Sequence, residues 1–455
     1  VSDVLGLLRA ELGERVDTDP GSLDEARADK SGHRSPERGI AVVHAASVAD
    51  VQATMRIAHR TGTPVVVRGA GTGLAGGANT GRGEIALSLR SMDRIVEVRA
   101  DDLLAVVEPG ILNAALNERL AAHGLWWAPD PASRDISTVG GNIATGAGGL
   151  LCAKYGVVRD AVLGLDVVLA DGRLISVGHR SVKGVTGYDL TALMIGSEGT
   201  LGVVVGATLK LRRLVPGTTR TLTATFPDVR AAAVASAAVT ASGAQPAIME
   251  LMDAESLAAS HALLGLPSPL TGAAQLTVQT DGIAAADEQA AIAAVLTAAG
   301  GAVRLATDDA EAAQLWQVRR SMHPAMERLG TTLIEDVSVP RSALPAMFDE
   351  IARIETEFGV TIPTVCHAGD GNLHPNFVFE GAVVPGHIWD AADALFRAAL
   401  ALGGTLTGEH GIGVLKSRWL ADELGADQDA LQRGIKAVFD PTGILNPGKV
   451  FASQP

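Results

Sequence analysis

Cysteine is nearly absent from the chain: Cys152 and Cys366 are the only two among 455 residues. Two distant thiols build no CxxC pair, disulfide framework or iron–sulfur ligand set. A reducing cytosol is therefore the expected setting, and any iron–sulfur centre exchanging electrons with this protein belongs to another chain. Aromatic residues make up 3% of the chain, too few for a platform that stacks single-stranded nucleic acid. Positive charge is outweighed, with 37 Lys and Arg against 51 Asp and Glu and a net charge of -14. This excludes the basic footprint of a nucleic-acid binder. Long apolar runs are missing too. The run at 231–241 is alanine-rich and well short of the roughly 20 residues of a membrane span. The N-terminal VSDVLGLLRAELGERV reads as a short amphipathic helix without the basic start of a signal peptide. The expected location is cytoplasmic, with peripheral membrane contact left open.

What the chain does have is small apolar residues. Apolar types make up 47%, and there are 52 glycines. That composition supports a large core with close backbone approaches and many glycine-dependent turns. Residues 1–37 read as a helix followed by a polar loop, DKSGHRSPERG. From residue 38 strands and helices alternate: IAVVHAA, a helix over 48–62 ending at Gly62, PVVVRG, IALSL, LLAVVEPG, and a helix over 111–124. VLGLDVVLADGRLISVG reads as a hairpin around Asp171-Gly172, and TLGVVVGATLKLRRL as one or two strands. Near Pro216-Gly217 the helices lengthen, which places a domain boundary after residue 215. Residues 216–438 read as an α+β domain with an antiparallel sheet. The turn-rich FDPTGILNPGKVF closes the chain over 439–455.

Three glycine-rich stretches punctuate the first domain. RGAGTGLAGGANTG (68–81) leaves the strand PVVVR, and Gly71, Gly73 and Gly76 satisfy GxGxxG. A dinucleotide fold of the Rossmann kind needs a helix to open at once, but another strand follows, so that reading fails. A long glycine loop whose N–H groups form a nest for phosphate remains. WWAPDPASRDISTVGGNIATGAGGLLCAKYG (126–156) is a long run without a strong periodic signal, of a length that usually carries function. GYDLTALMIGSEGTLGVVV (187–205) adds a third loop. Three such loops on one domain suggest one extended ligand gripped along its length.

In the second domain, CHAGDGNLHPNF (366–377) places two histidines around Asp370-Gly371, a strong hairpin signal. A two-residue turn there would set His367 directly opposite His374, with Asn376 on the same face. Facing imidazoles form a natural metal clip; a surface turn with two hydrogen-bonded histidines fits equally well. TLTGEHGIG (405–413) offers Glu409 and His410 between glycines. The helix LWQVRRSMHPAMERLG carries Arg319, Arg320 and His323.

Taken in order, PVVVRGAGTGLAGG, APDPAS, TVGGNIATGAGG, KYGVVRD, GSEGTLGVV, HAGDGNLHPNF, TGEHGIG and FDPTGILNPGK resemble the flavoproteins of the vanillyl-alcohol oxidase (PCMH) type. The similarity is to the branch holding D-lactate dehydrogenase, the glycolate oxidase flavoprotein subunit and D-2-hydroxyglutarate dehydrogenase, and it spans about residues 38–451. It implies an α+β architecture with a two-part FAD-binding domain over 38–215 and a ferredoxin-like cap over 216–438. It implies FAD contacts from Arg68, Gly69, Ala70, Gly71, Thr72 and Gly73. Pro129, Asp130, Thr138, Gly141, Asn142, Gly148, Gly199 and Val204 would contact the rest of the cofactor, and Asn446 would return near the flavin. Some relatives carry Asn where this chain has Gly146. No histidine stands in 62–84, so FAD is expected to be non-covalent, with Cys152 a packed small residue rather than a tether. The resemblance further implies a divalent ion, zinc or manganese, on His367, His374 and Glu409. Arg319 would bind the substrate carboxylate, Asn376 would stand beside the ion, and His410 would act as general base.

The implied reaction is FAD-dependent oxidation of a small D-2-hydroxy acid. Dehydrogenases of D-2-hydroxyglutarate carry a Lys where this chain has Ile334, which argues for a monocarboxylate over that alternative. The electron acceptor, whether quinone, cytochrome, electron-transfer flavoprotein or oxygen, is left open. A metal-dependent phosphoesterase is the rival from another class, suggested by GDGN followed by LH. It lacks the early DxH ligands that such enzymes need.

Overall fold

Capped helices and short β-branched runs set the first part of the fold. Ser47 accepts the Asp50 N–H, and Gly62 takes left-handed backbone (φ +61°), so helix Val48–Thr61 starts and stops at its cap residues. Its Val51, Met55 and Ala58 are buried among Val43, Ile85 and Leu87. The computed structural model describes residues 2–381 and 383–451. The chain divides into two units, one of 1–149, 156–214 and 409–455, the other of 150–155 and 215–408.

The first unit holds two main sheets. Strands β1 (Val16–Asp17), β2 (Ala41–His44), β3 (Val65–Arg68) and β4 (Ile85–Ser88) lie in the order β1-β2-β4-β3. β2, β4 and β3 run parallel, and β4 is buried throughout, which is why it reads as an unbroken apolar run. The second sheet is antiparallel. It combines β5 (Ile95–Arg99) and β6 (Leu104–Val107) with β8 (Val162–Val168), β9 (Leu174–Gly178) and β10 (Val203–Lys210), in the order β5-β6-β10-β8-β9. A two-stranded ribbon pairs β7 (Leu125–Trp126) with β11 (Arg212–Arg213). The closing segment lies along β3: Val65 N–H donates to the Ile444 carbonyl at 2.7 Å and Asn446 N–H to the Val65 carbonyl at 2.9 Å.

The second unit is built on one antiparallel sheet. Its strands are β12 (Arg220–Phe226), β13 (Ile248–Met252), β14 (Ala274–Thr280), β15 (Ala302–Leu305), β16 (Thr331–Ile334), β17 (Val337–Ser338), β18 (Thr364–His367) and β19 (Asn372–Phe379). They run in the order β15-β12-β14-β13-β18-β19-β16, with β17 also on β19. Helices Val229–Ala241 and Ala285–Ala298 pack on β12 and β14. Residues 150–155 are held in this unit by Asp281, whose two carboxylate oxygens accept from Lys154 Nζ (2.5 Å) and the Tyr155 hydroxyl.

Three sequence readings change. The glycine-rich run 126–156 contains helix Val139–Thr145, capped by Thr138 and ended by Gly146 at φ +68°; adjacent glycines of low helix propensity hide it in the sequence. β5 had no strand signal assigned, because its exposed charges break the apolar pattern. The boundary expected at 438 falls within helix Leu420–Phe439, and the first unit resumes at Glu409.

Asp253 gives the second unit a pH dependence. Its carboxylate caps helix Ala254–Leu264 by accepting from Ser256 N–H (2.8 Å) and also takes Thr364 N–H (2.6 Å). Burial pushes it up to about 7, against these hydrogen bonds. A folded-state value raised above the unfolded one means the folded state holds the proton longer. The resulting stability is present below the ordinary value of 3.8 and is lost as pH rises towards 7. Unfolding midpoints in urea should fall over that window, and Asp253→Asn should flatten the fall. An unchanged pH profile in the variant would contradict this assignment.

Candidate active site

The turn between β18 and β19 is one step longer than a two-residue hairpin. His367 pairs with Asn372, and His374 with Val365, so residues 368–371 form a four-residue loop. The His367 carbonyl accepts from both Asp370 N–H (3.1 Å) and Gly371 N–H (2.9 Å). Gly371 sits at φ +91°, and a Cβ there would meet the Val339 carbonyl oxygen at 2.2 Å, so only glycine closes this loop. The partner of His367 is thereby displaced two residues, from His374 to Asn372. A displacement of two preserves the face, and both imidazoles stay on one side of the sheet as diagonal neighbours. Their ring centroids are 4.9 Å apart at 83°, and one nitrogen of each ring lies within 4.8 Å of the other.

Each histidine is backed by a buried carboxylate that the sequence reading missed. Glu250 lies directly across from His367 on β13, and its Oε1 is 2.7 Å from His367 Nδ1. Arg319 holds the other oxygen: its Nε and Nη2 are each 2.8 Å from Glu250 Oε2. Burial pushes the Glu250 carboxyl up, but the charges of His367 and Arg319 overcome it and hold it below the usual range. An ionised Glu250 can only accept, so Nδ1 of His367 carries the hydrogen, and Nε2 is the nitrogen that would ligate an ion. Asp336, fully buried, stands in the break between β16 and β17, with Oδ1 3.8 Å from His374 Nδ1. It accepts from Asn372 Nδ2 and Thr407 Oγ1, both at 2.6 Å. A histidine pair with carboxylates behind the rings is the donor arrangement that orients imidazoles toward a divalent ion, so the residues fit such a group. Asn376 is buried and donates to the Pro363 and His374 carbonyls (3.1 and 2.8 Å), bracing the strand beside the pair. A lone acidic residue inside the apolar strand IMELM was the available signal for Glu250, because a buried charge requires a partner.

The first unit carries the glycine loops, Glu409 and His410. Arg68 donates to the Ala78 and Ala28 carbonyls at 3.0 and 2.9 Å. Its guanidinium thus braces the loop that starts at Gly69. A Cβ on Gly69 would meet Thr138 Oγ1 at 2.4 Å, and one on Gly149 the Asp130 carbonyl oxygen at 2.5 Å. Asn142 presents a buried Nδ2 donor with no partner in the protein. Both glycines are required by this close packing within the protein, whereas the unsatisfied buried donor of Asn142 fits a bound cofactor that supplies the acceptor. Asn446, at φ +42°, accepts from Val67 N–H (2.9 Å) and donates to the Glu198 carbonyl (2.5 Å), next to Gly199. Glu409 lies against Gly148, where a Cβ would come within 2.4 Å of Glu409 Oε2. His410 Nε2 is 3.9 Å from Glu409 Oε1. Val204 lies in β10.

Residues 40–178 match the FAD binding domain family, and residues 215–450 the C-terminal domain of FAD linked oxidases. Glycolate oxidase subunit GlcD of Bacillus subtilis is 38% identical, over 91% of this chain and 89% of its own. A probable mitochondrial D-lactate dehydrogenase of Danio rerio is 33% identical over 99% and 92%. A D-2-hydroxyglutarate dehydrogenase of Xanthomonas citri pv. viticola is 35% identical over 99% and 97%. In fold, p-cresol methylhydroxylase superposes with a TM-score of 0.78 at 16% identity, covering 99% of this chain and 97% of that one.

Removing Glu250 should leave Arg319 as a buried charge without its partner. Glu250→Ala should lose about 3–5 kcal/mol in urea unfolding. A loss below about 1 kcal/mol would show that the Arg319–Glu250–His367 chain does not stabilise the sheet.

Proposed function

The chain belongs to the FAD-linked oxidases, and from that premise we propose that it oxidises a small D-2-hydroxy acid, a monocarboxylate of the D-lactate or glycolate kind, to the 2-oxo acid. The observation that carries this reading is the histidine pair, with a buried carboxylate beside each ring, in a chain whose residues 40–178 also match the FAD binding domain family. His367 and His374 are the residues that would hold a zinc or manganese ion, with Glu409 as third ligand. What supports Glu409 is its place in the chain. Thr407 is bonded to Asp336, a Cβ on Gly408 would meet Asn372 Nδ2 at 2.2 Å, and Glu409 is the next residue.

FAD supplies the two-electron acceptor for the C2 hydrogen, and the ion supplies the Lewis acidity that lowers the pKa of the substrate hydroxyl. The protein's own groups do the rest. Arg319 is held rigid through Nε and Nη2 by Glu250, which presents its remaining edge to the substrate carboxylate. Glu250 fixes the orientation of His367, and Asp336 stands 3.8 Å from Nδ1 of His374. His410 takes the hydroxyl proton, so that the oxyanion develops as the hydrogen leaves C2. Ile334 lies opposite Asn376 on β16 and offers no cation for a second carboxylate, which favours monocarboxylates over 2-hydroxyglutarate. A flavin bound here would need a separate acceptor for its electrons: a quinone, a cytochrome, an electron-transfer flavoprotein or oxygen. Among the described residues no helix is long and apolar enough to cross a membrane, and peripheral membrane contact is part of the same proposal.

Two variants test the assignment. His410→Ala should keep FAD bound and slow anaerobic flavin reduction by about 10²–10⁴-fold, the range of a lost general base; an unchanged rate removes His410 from the proton transfer. Ile334→Lys should shift kcat/KM from D-lactate towards D-2-hydroxyglutarate. A variant with unaltered preference would show that this position does not select the substrate.

A further inference from the structure

Glu198 is a buried acid with an unusual place in the chain. It stands inside GSEGT at φ +52°, a left-handed conformation that a side chain enters only under constraint. The carboxylate does not reach outward. Its Oε1 accepts from Ile412 N–H at 2.7 Å, and its Oε2 from Gly413 N–H at 2.8 Å. Glycine makes the approach feasible: a Cβ on Gly411 (φ +85°) would meet Glu198 Oε1 at 2.9 Å, and one on Gly77 would meet Oε2 at 3.1 Å. The same short segment is anchored behind the carboxylate. Val414 N–H donates to the Ala75 carbonyl at 2.9 Å and Val450 N–H to the Gly413 carbonyl at 2.8 Å. Two residues before Ile412 stands His410, and before that Glu409.

We propose that Glu198 is a positioning residue for Glu409 and His410, clamping the backbone that carries them through a two-pronged hydrogen bond to Ile412 and Gly413. The role assigned to those two side chains rests on the proposed function; the clamp does not. When ionised, a carboxylate is the one side-chain group of this length with two acceptor oxygens and no donor; burial pushes this one up to about 7 against its two hydrogen bonds. Glutamine would turn an N–H₂ toward one of the two N–H groups, and the segment would be held at a single point. A loop released in this way loses the geometry of its catalytic groups before it loses ligand binding, because proton transfer tolerates displacements of only a fraction of an ångström.

The test uses the full FAD-loaded protein with three readouts. In Glu198→Gln, amide hydrogen exchange at Ile412 and Gly413 should accelerate at least tenfold, while FAD content and the visible spectrum stay those of the parent. Anaerobic flavin reduction by D-lactate should slow about 10–100-fold, in kcat rather than KM. Gly411→Ala, which pushes a methyl into the same carboxylate from the other side, should reproduce both effects. It serves as the second variant if Glu198→Gln does not fold. Unaccelerated exchange in a folded variant overturns the clamp. Accelerated exchange with an unchanged reduction rate overturns the positioning role. If the parent protein reduces with no 2-hydroxy acid, the proposed function fails, while the exchange data still decide the clamp.

Discussion

One buried carboxylate, Glu250, organises the chemistry of the second unit. It accepts from a histidine with one oxygen and from an arginine with the other, at 2.7 and 2.8 Å, in the middle of an antiparallel sheet. Taking such a charge out of water is costly unless it is paired and hydrogen-bonded on all sides. Here the pairing fixes three things at once: the ionisation of Glu250, the tautomer of His367 and the orientation of Arg319. Asp336 stands 3.8 Å from the other imidazole in the break between β16 and β17, tied in place by Asn372 and Thr407. The sheet provides the spacing, since residues two apart on β19 and directly opposite on β13 and β18 share one face.

The first unit solves a different problem with glycine. Its loops after β3 and around helix Val139–Thr145 pack more closely than a Cβ would permit. Gly69 and Gly149 each lie where a Cβ would collide with a neighbour, and Asn142 holds an unsatisfied donor beside them. The C-terminal segment closes this unit: Asn446 links β3 to the Glu198–Gly199 turn, so the last residues of the domain support its first glycine loop.

Much of this was legible in the sequence. Capped helices, apolar parallel strands and ordered glycine blocks each carry a local signal, and the blocks together identify the flavoprotein fold. His367 and His374 were legible as a pair because a hairpin loop of two residues or of four leaves them on one face. The register was not legible, since the role of Gly371 depends on the Val339 carbonyl, 32 residues earlier. Glu250 and Asp336 were not picked out for a similar reason. The lone acid in IMELM signals that Glu250 needs a partner, but which partner emerges only when β13 pairs with β18, and Asp336 comes near His374 only once β16, β17 and β19 are assembled. Helix Val139–Thr145 was missed because its glycines suppress helix propensity and tertiary packing overrides it.

The most direct test of the central claim is an anaerobic visible spectrum of the FAD-loaded protein, recorded while D-lactate and glycolate are added. The measurement is repeated after treatment with a chelator and after zinc or manganese is restored. The account predicts that the oxidised flavin bands bleach with at least one of the two acids, persist after chelation and bleach again once the metal returns. Bands that persist with both acids while FAD and metal are bound would contradict the substrate class. Bleaching indifferent to metal removal would contradict the histidine pair as a metal site.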